Sequence, residues 1–156
     1  MTMTINDILR TKVAGVWEGT YTVIDPSGQQ LDRFASRQEG RMEGTQWTER
    51  VVYLREGQEP YEHFYHATVD GDNVDFHNSN MWGVTSRVGE EAIIFSFGWH
   101  ERPNERIIEV TRPDGDYRTR IWQHFIDGRL AKLTIIEEHR VPGAEPMRWD
   151  PAEKKV

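Results

Sequence analysis

Residues 118–140, RTRIWQHFIDGRLAKLTIIEEHR, carry the strongest fold signal in the sequence, a β-hairpin. The central Asp127-Gly128 is typical of a two-residue type I′ turn, which pairs Ile126 with Arg129. We expect the Trp122 face to point inward, because its charges are paired as buried charges require. The other face of the hairpin is only slightly more polar, so the alternative that this face points inward stays open. Counted outward from the turn, the Trp122 face pairs His124 with Ala131, Trp122 with Leu133, Arg120 with Ile135, and Arg118 with Glu137.

The rest of the chain predicts one short helix followed by a run of short strands. Apolar residues from Ile5 to Val13 lie at helical spacing, and Thr4 with Asp7 resembles a capping box. After Gly15 the apolar period is two, and turn signals such as Asp70-Gly71 separate eight or nine candidate strands. The sequence therefore predicts an all-β fold, an antiparallel barrel of eight to ten strands with an N-terminal helix. We expect residues 1–141 to form this single domain and residues 142–156 to form an irregular tail.

Composition excludes several classes of protein. The chain has 156 residues, which fits one domain, and its 19 Lys and Arg against 26 Asp and Glu give a net charge of −7. This charge disfavours nucleic acid as a partner. The absence of cysteine excludes disulfides, thiolate nucleophiles and iron–sulfur clusters. With neither a membrane-length apolar run nor a secretion signal, we expect a cytoplasmic protein without membrane contacts.

Alternation on the other strands predicts an aromatic interior. In the hairpin around Asp70-Gly71, the more apolar face is expected inside, which leaves His66 and His77 outside. The residues predicted to point inward are His63, Tyr65, Ala67, Val69, Val74, Phe76 and Asn78 on this hairpin, Trp17, Gly19, Tyr21 and Val23 on the first strand, and Ile93, Phe95, Phe97 and Trp99 on a later one.

The sequence 15–21, GVWEGTY, entered from a short helix, resembles the Gly-x-Trp opening of calycins, the superfamily of lipocalins and fatty-acid-binding proteins. The closing Glu138-His139-Arg140 resembles the calycin basic residue that packs on that tryptophan. Together with Asp25-Pro26-Ser27-Gly28 and Met81-Trp82-Gly83, these motifs look like an uncharacterised bacterial group distantly related to phycobilin chromophore lyases. The resemblance implies a calycin-like barrel over residues 15 to 140, with structural roles for Gly15, Trp17 and Arg140. It also implies a cavity for a small, largely apolar ligand.

Arg120 is the candidate anchor for an anionic ligand, because a guanidinium presents a fork of donors matched to a carboxylate. Fatty-acid-binding barrels use an inward Arg and Tyr in this way, which Arg120 and Tyr21 resemble in kind. The alternative is that Arg118, Arg120 and Glu137 form a structural ion-pair network. Further candidate ligand contacts are Tyr65, Phe97, Trp122 and Glu137, and also Trp82, unless Trp82 belongs to an ordinary strand start.

His124 and His63 are the candidate catalytic residues, because an interior imidazole titrates near neutrality and transfers protons. Glu137 or Glu49 is the carboxylate expected beside them, although Glu49 is compatible with either face of its strand. Alternatively, each histidine only hydrogen-bonds a neighbour. The spacing of the histidines does not suit a metal site, so we expect no bound metal. A site formed by His100 or His139 stays an open alternative.

These observations lead to three alternative functions, of which the last is a structural partner protein whose barrel interior is packed solid. The first is a cofactor-independent lyase, isomerase or cyclase that binds a small apolar or aromatic, anionic molecule and uses His/Arg acid–base chemistry. The second is a non-catalytic carrier or sensor of the lipocalin or fatty-acid-binding type. Phosphate-binding loops and dinucleotide fingerprints are absent, so no cofactor is expected. The expected partner is a small molecule, and self-association as a homodimer stays open.

Overall fold

The computed structural model describes residues 2–76 and 80–154, which form a ten-stranded antiparallel sheet. The sheet curls into a nearly closed barrel, which confirms the predicted fold class. Across the sheet the strand order is β5-β4-β3-β2-β1-β10-β9-β8-β7-β6. The strands are β1 (Gly15–Ile24), β2 (Gln30–Glu43), β3 (Gln46–Leu54), β4 (Tyr61–Asp70), β5 (Asn73–Asp75), β6 (Met81–Val88), β7 (Ala92–Trp99), β8 (Arg102–Asp114), β9 (Tyr117–Ile126) and β10 (Arg129–Arg140).

A short helix closes one end of the barrel. Helix α1 (Ile5–Ile8) starts at the predicted capping box, in which the side chains of Thr4 and Asp7 each accept a hydrogen bond from the other residue's backbone N–H group. It continues as one turn of π-helix over Leu9–Val13. Its apolar face forms a core with Trp47, Ala67, Val69 and Ile93. The inner end of the barrel is therefore packed against this helix. No helix within the described ranges has the length and hydropathy of a membrane span.

Strands β5 and β6 are the two edges of the sheet, and the gap between them is a seam that no described ladder closes. An ion pair crosses this seam, with Arg87 Nε 3.0 Å from Asp72 Oδ1. The N-terminal segment also bridges it, because the Asn6 N–H donates to the Gly71 carbonyl and the Met3 N–H donates to Glu90 Oε1. Side chains and the helix thus hold together edges that the backbone leaves unpaired.

The hairpin of β9 and β10 has the predicted turn, because Ile126 pairs with Arg129 across Asp127-Gly128. A register shift between Leu130 and Lys132 then moves every later residue of β10 by one position. Arg118 is consequently opposite Glu138. The prediction that Glu137 faces inward beside Arg118 is therefore wrong, since Glu137 is exposed on the outer face and Glu138 has no exposed surface.

Trp17 packs where the first and last parts of the chain meet. Its indole N–H donates to the Val13 carbonyl at 2.8 Å, and the guanidinium carbons of Arg118 and Arg140 each lie 4.4 Å from its ring centroid. Arg140 also donates to the carbonyl oxygens of Ala14 and Lys12. This contact ties the helix exit to the end of the last strand.

The segment after β10 runs along the outer wall over strands β2 to β4. The Met147 N–H donates to Glu39, and the ring of Trp149 lies 5.1 Å from that of Phe64. The same indole covers His66, which is buried. The expectation that His66 faces solvent is therefore wrong, because this segment lies over its strand. The expectations for His77 and Asn78 lie outside the described residues.

Candidate functional site

The interior of the barrel contains a cavity of about 650 Å³. It lies between the helix and the strand ends at Ile24, Leu54, Trp99 and Ile126. Near the helix its wall is apolar, formed by side chains that include Leu9, Val69, Val74 and Phe95. Aromatic side chains cover much of the remaining wall, namely Tyr21, Phe34, Trp47, Tyr53, Tyr65, Phe76, Phe97, Trp99 and Trp122.

Most of the residues predicted to form a site line this cavity, and two do not. The lining includes Arg120, Tyr21, Tyr65, Phe97 and Trp122, together with His63 and His124. Glu137 is excluded by the shifted register described above. Trp82 is excluded because Met81 points inward at the start of β6 and the next residue therefore lies on the outer face.

Trp82 has a structural role outside the barrel. Its ring covers Gly98, where a Cβ atom would lie 3.0 Å from the indole, and the guanidinium carbon of Arg106 is 5.3 Å from its ring centroid. The predicted ligand contact at Trp82 is therefore wrong. Trp82 instead packs at an ordinary strand start, which is the alternative given in the sequence analysis.

We call Tyr21, Glu49, Glu109, Arg118, Arg120 and Glu138 the inner polar cluster. Arg120 donates from Nε to Glu138 Oε1 at 2.7 Å and from Nη2 to the Tyr21 hydroxyl at 2.7 Å. Arg118 donates from Nη2 to Glu138 Oε2 at 2.8 Å and also bonds Gln38. Both guanidiniums thus share the Glu138 carboxylate. This is the structural ion-pair network that the sequence analysis gave as the alternative to an anion anchor, and Glu138 occupies the position expected for Glu137.

The electrostatic surroundings separate the two buried acids Glu138 and Glu49. For Glu138, burial opposes ionisation, yet the guanidiniums of Arg120 and Arg118 lower its pKa to about 2. For Glu49, burial raises the pKa, Arg120 opposes this rise, and the nearby Glu109 carboxylate adds to it. Glu138 is therefore a fixed anion within the network, whereas Glu49 presents a carboxyl group with a raised pKa to the cavity.

Glu109 was missed by the sequence analysis. It lines the cavity from β8, accepts a hydrogen bond from the Thr111 hydroxyl at 2.7 Å, and lies 3.8 Å from Arg120 Nη1. Its strand reads RIIEVT over residues 106–111, with apolar residues on both faces. The alternation therefore contains no signal that places Glu109 inside, and only the pairing with Trp122 on β9 shows it.

The opposite end of the cavity, which we call the mouth, is formed by Asp32, Arg55, Trp99, Arg102, His124 and Lys132. Two of its cations stack on aromatic rings: the Arg55 guanidinium carbon is 3.9 Å from the Phe34 centroid, and that of Arg102 is 4.0 Å from the Trp99 centroid. Arg55 pairs with Asp32 at 2.8 Å and Arg102 with Glu105 at 3.2 Å. For the Lys132 ammonium, the part of the chain that the structure describes provides no ion pair or hydrogen bond.

The two predicted catalytic histidines have different surroundings. His124 Nε2 lies 3.3 Å from Glu105 Oε2, so its carboxylate partner is neither Glu137 nor Glu49. Burial and then the charge of Lys132 lower the pKa of His124, against the opposing effect of Glu105. His63 packs against the rings of Tyr53, Tyr61 and Tyr65, and burial lowers its pKa. Its Nε2 atom has no hydrogen-bond partner within residues 2–76 and 80–154.

No group of three or more His, Asp or Glu residues within the described ranges is arranged to hold a metal ion. The described interior combines a buried ion-pair network, the cavity-facing carboxyl groups of Glu49 and Glu109, and a mouth at which three cations and Asp32 line the cavity. The cavity thus presents an apolar and aromatic surface, with different charged groups at its two ends.

The model of one protein family matches residues 3–142: the N-terminal part of DUF3598, a domain of unknown function. A search of the curated proteins found no match.

Solved structures share the fold at low sequence identity. A DUF3598-family protein of unknown function from Nostoc punctiforme is 16% identical with a TM-score of 0.68, and the match covers 90% of this chain and 51% of that protein. Rv2717c from M. tuberculosis is 15% identical with a TM-score of 0.56, over 82% of this chain and 92% of that one. The chain therefore spans about half the length of the Nostoc protein.

Proposed function

We propose that this chain, which belongs to the DUF3598 N-terminal domain family, binds one small, largely apolar or aromatic, anionic molecule inside its barrel. The observation that carries the proposal is the cavity of about 650 Å³, which lies in the usual range of roughly 300–1,000 Å³ for ligand sites. A structural barrel would fill this space with side chains. The aromatic wall favours a flat or apolar ligand body.

The calycin resemblance of the sequence supports the same function. The opening Gly-x-Trp motif and the closing basic residue meet at Trp17, where the guanidinium carbon of Arg140 lies 4.4 Å from the ring centroid. In calycins the corresponding barrel surrounds a small apolar ligand. The resemblance thus agrees with a carrier or sensor.

The first experiment is a fluorescence titration with N-phenyl-1-naphthylamine, an uncharged aromatic probe. Saturable binding of one probe per barrel with a micromolar Kd is expected. Thr134→Trp fills the cavity, because Thr134 is buried and lines it, and it should weaken binding by roughly tenfold or more. Ile135→Trp changes the neighbouring residue on the outer face and serves as the matched control. A folded protein that binds no probe, or that binds it equally well after Thr134→Trp, would refute the proposal.

A second candidate function, cofactor-independent acid–base catalysis as a lyase, isomerase or cyclase, is favoured by one observation. The imidazole of His124 and the carboxylate of Glu105 lie 3.3 Å apart beside the cavity. A neutral imidazole that is held by a carboxylate can accept a proton from a bound substrate. The lowered pKa of His124 keeps this imidazole neutral near pH 7.

Native mass spectrometry of the purified protein is the starting point for testing catalysis, because it reports a co-purified small molecule and the number of subunits. Conversion of that molecule should then be measured with His124→Gln and with His63→Gln. Loss of turnover with retained binding in His124→Gln supports catalysis. Unchanged turnover in both variants would exclude the acid–base assignment and leave the carrier function.

A further inference from the structure

The charges that line the cavity differ between its two ends. At the mouth, the cations of Arg55, Arg102 and Lys132 outnumber the carboxylates of Asp32 and Glu105. This excess is confined to the cavity lining and its ion-pair partners, because the loops at the same end of the barrel contain further Asp and Glu residues. A ligand anion within the rim of the cavity therefore has the Lys132 ammonium as an available counter-ion.

At the inner end, the guanidinium expected to hold an anion is already occupied. Arg120 uses Nε and Nη2 for Glu138 and Tyr21, and its Nη1 faces Glu109 at 3.8 Å. The groups that the inner polar cluster presents to the cavity include the carboxyls of Glu49 and Glu109. A ligand carboxylate placed there would meet like charges and would have to displace a buried ion pair.

The cavity wall next to the helix is apolar, and it adjoins the inner polar cluster, because Phe95 on β7 pairs with Glu109 on β8. It includes Leu9, Val69, Val74 and Phe95, all four of which belong to or pack against the helix core. This wall matches a hydrocarbon or aromatic group, and its described residues include no Lys or Arg. The apolar part of a ligand is therefore stabilised at the inner end of the cavity.

From these three observations we infer that the ligand is an amphipathic molecule with a single anionic head group, which enters apolar end first and keeps its head at the mouth beside Lys132 and Arg102. The inference rests on the proposed function, and it moves the anion site from Arg120 to the mouth. Lys132 is the principal contact, because the ion pair of Arg102 with Glu105 already uses part of that cation's capacity.

Two probes that differ only in the charged group test this orientation. 1-Anilinonaphthalene-8-sulfonate carries a sulfonate on the same aromatic skeleton as N-phenyl-1-naphthylamine. In Lys132→Met, we expect the Kd for the sulfonate to rise roughly fivefold, the scale of an accessible ion pair, while the Kd for the uncharged probe stays within about twofold. Arg129→Met is the matched control, because Arg129 is an exposed cation at the same end of the barrel but outside the cavity lining. It should change neither Kd.

Glu49→Gln tests the opposite orientation. If the sulfonate were bound beside the inner polar cluster, neutralising Glu49 would tighten binding of the sulfonate but not of the uncharged probe. With the head at the mouth, both probes should keep their affinities within about twofold. Selective tightening, or an unchanged sulfonate Kd in Lys132→Met, would overturn the orientation while leaving cavity binding intact. If neither probe binds, the proposed function itself fails.

A measurement on the unmodified protein makes the test independent of the variants. The amide chemical-shift changes caused by the two probes should be subtracted from each other, residue by residue. The difference isolates the effect of the sulfonate. It should be largest around Lys132, Arg102 and His124, and a difference concentrated around Arg120 and Glu49 would contradict the inference.

Discussion

The Glu138→Gln substitution removes a charge that the buried guanidiniums of Arg118 and Arg120 share. Four contacts of 2.7 to 3.4 Å join the Glu138 carboxylate to these two residues. Breaking a buried ion pair on one side costs about 3–5 kcal/mol, because the remaining charge has no water to solvate it. The pKa of Glu138 gives a second figure: its fall from 4.5 to about 2 corresponds to roughly 3 kcal/mol of folding stability.

The pH dependence of this effect follows from the direction of the pKa change. Because the folded-state pKa of Glu138 lies below its ordinary value of 4.5, the contribution is present above that pH and is lost as the pH falls towards 2. Urea unfolding of the unmodified protein and of Glu138→Gln should therefore differ by about 3 kcal/mol near neutral pH. The two free energies of unfolding should converge on acidification.

Glu137→Gln is the control, because it changes the adjacent residue on the exposed outer face. Glu137 accepts a hydrogen bond from the Tyr117 hydroxyl at 3.3 Å, and we expect its substitution to change the free energy of unfolding by less than about 0.5 kcal/mol. Equal losses of unfolding free energy in Glu138→Gln and Glu137→Gln would show that the bulge near Ala131 does not set the register of β10. A gap that stays constant from neutral to acidic pH would refute the charge-based explanation.

Three further predictions concern stability and are measured by urea unfolding. Glu49→Gln should increase the free energy of unfolding at neutral pH, since burial raises the pKa of Glu49 and its charged form opposes folding; the gain should disappear below about pH 4.5, and destabilisation at neutral pH would contradict it. Arg140→Met should cost about 2 kcal/mol, because it removes two hydrogen bonds and the contact with Trp17; a loss within error of zero would exclude this role. Gly19→Ala should cost about 3 kcal/mol or prevent folding, since its Cβ would lie 1.8 Å from the Glu137 carbonyl oxygen, and a neutral result would contradict that close approach.

Local signals in the sequence were sufficient for much of the fold. The type I′ turn at Asp127-Gly128 and the capping box of Thr4 with Asp7 depend on residues that are close together in the chain, and both are present in the structure. The position of the bulge near Ala131 was not predictable in this way. A bulge depends on how β10 must twist between its two neighbours, and alanine carries no preference that marks it.

The candidate site was predictable where alternation was clear and unpredictable where both faces of a strand looked alike. Tyr21, Tyr65 and Phe97 lie on faces with a consistent aromatic pattern, and all three line the cavity. Trp82 follows a polar stretch without alternation, and a one-residue difference in the strand start places it outside. Glu109 lies between apolar neighbours, so its orientation is decided by pairing with distant strands.

The seam between β5 and β6 determines where the barrel opens in local fluctuations. Within residues 2–76 and 80–154 no backbone ladder joins β5 to β6, so a transient separation of these strands breaks side-chain contacts and no ladder hydrogen bond. Hydrogen exchange should therefore begin along these two edge strands and spread from them, while the central strands β1 and β10, which pair with each other in the middle of the sheet, exchange last. Among the described residues, opening this edge therefore breaks one accessible ion pair, between Asp72 and Arg87, and the contacts of the N-terminal segment with Gly71 and Glu90.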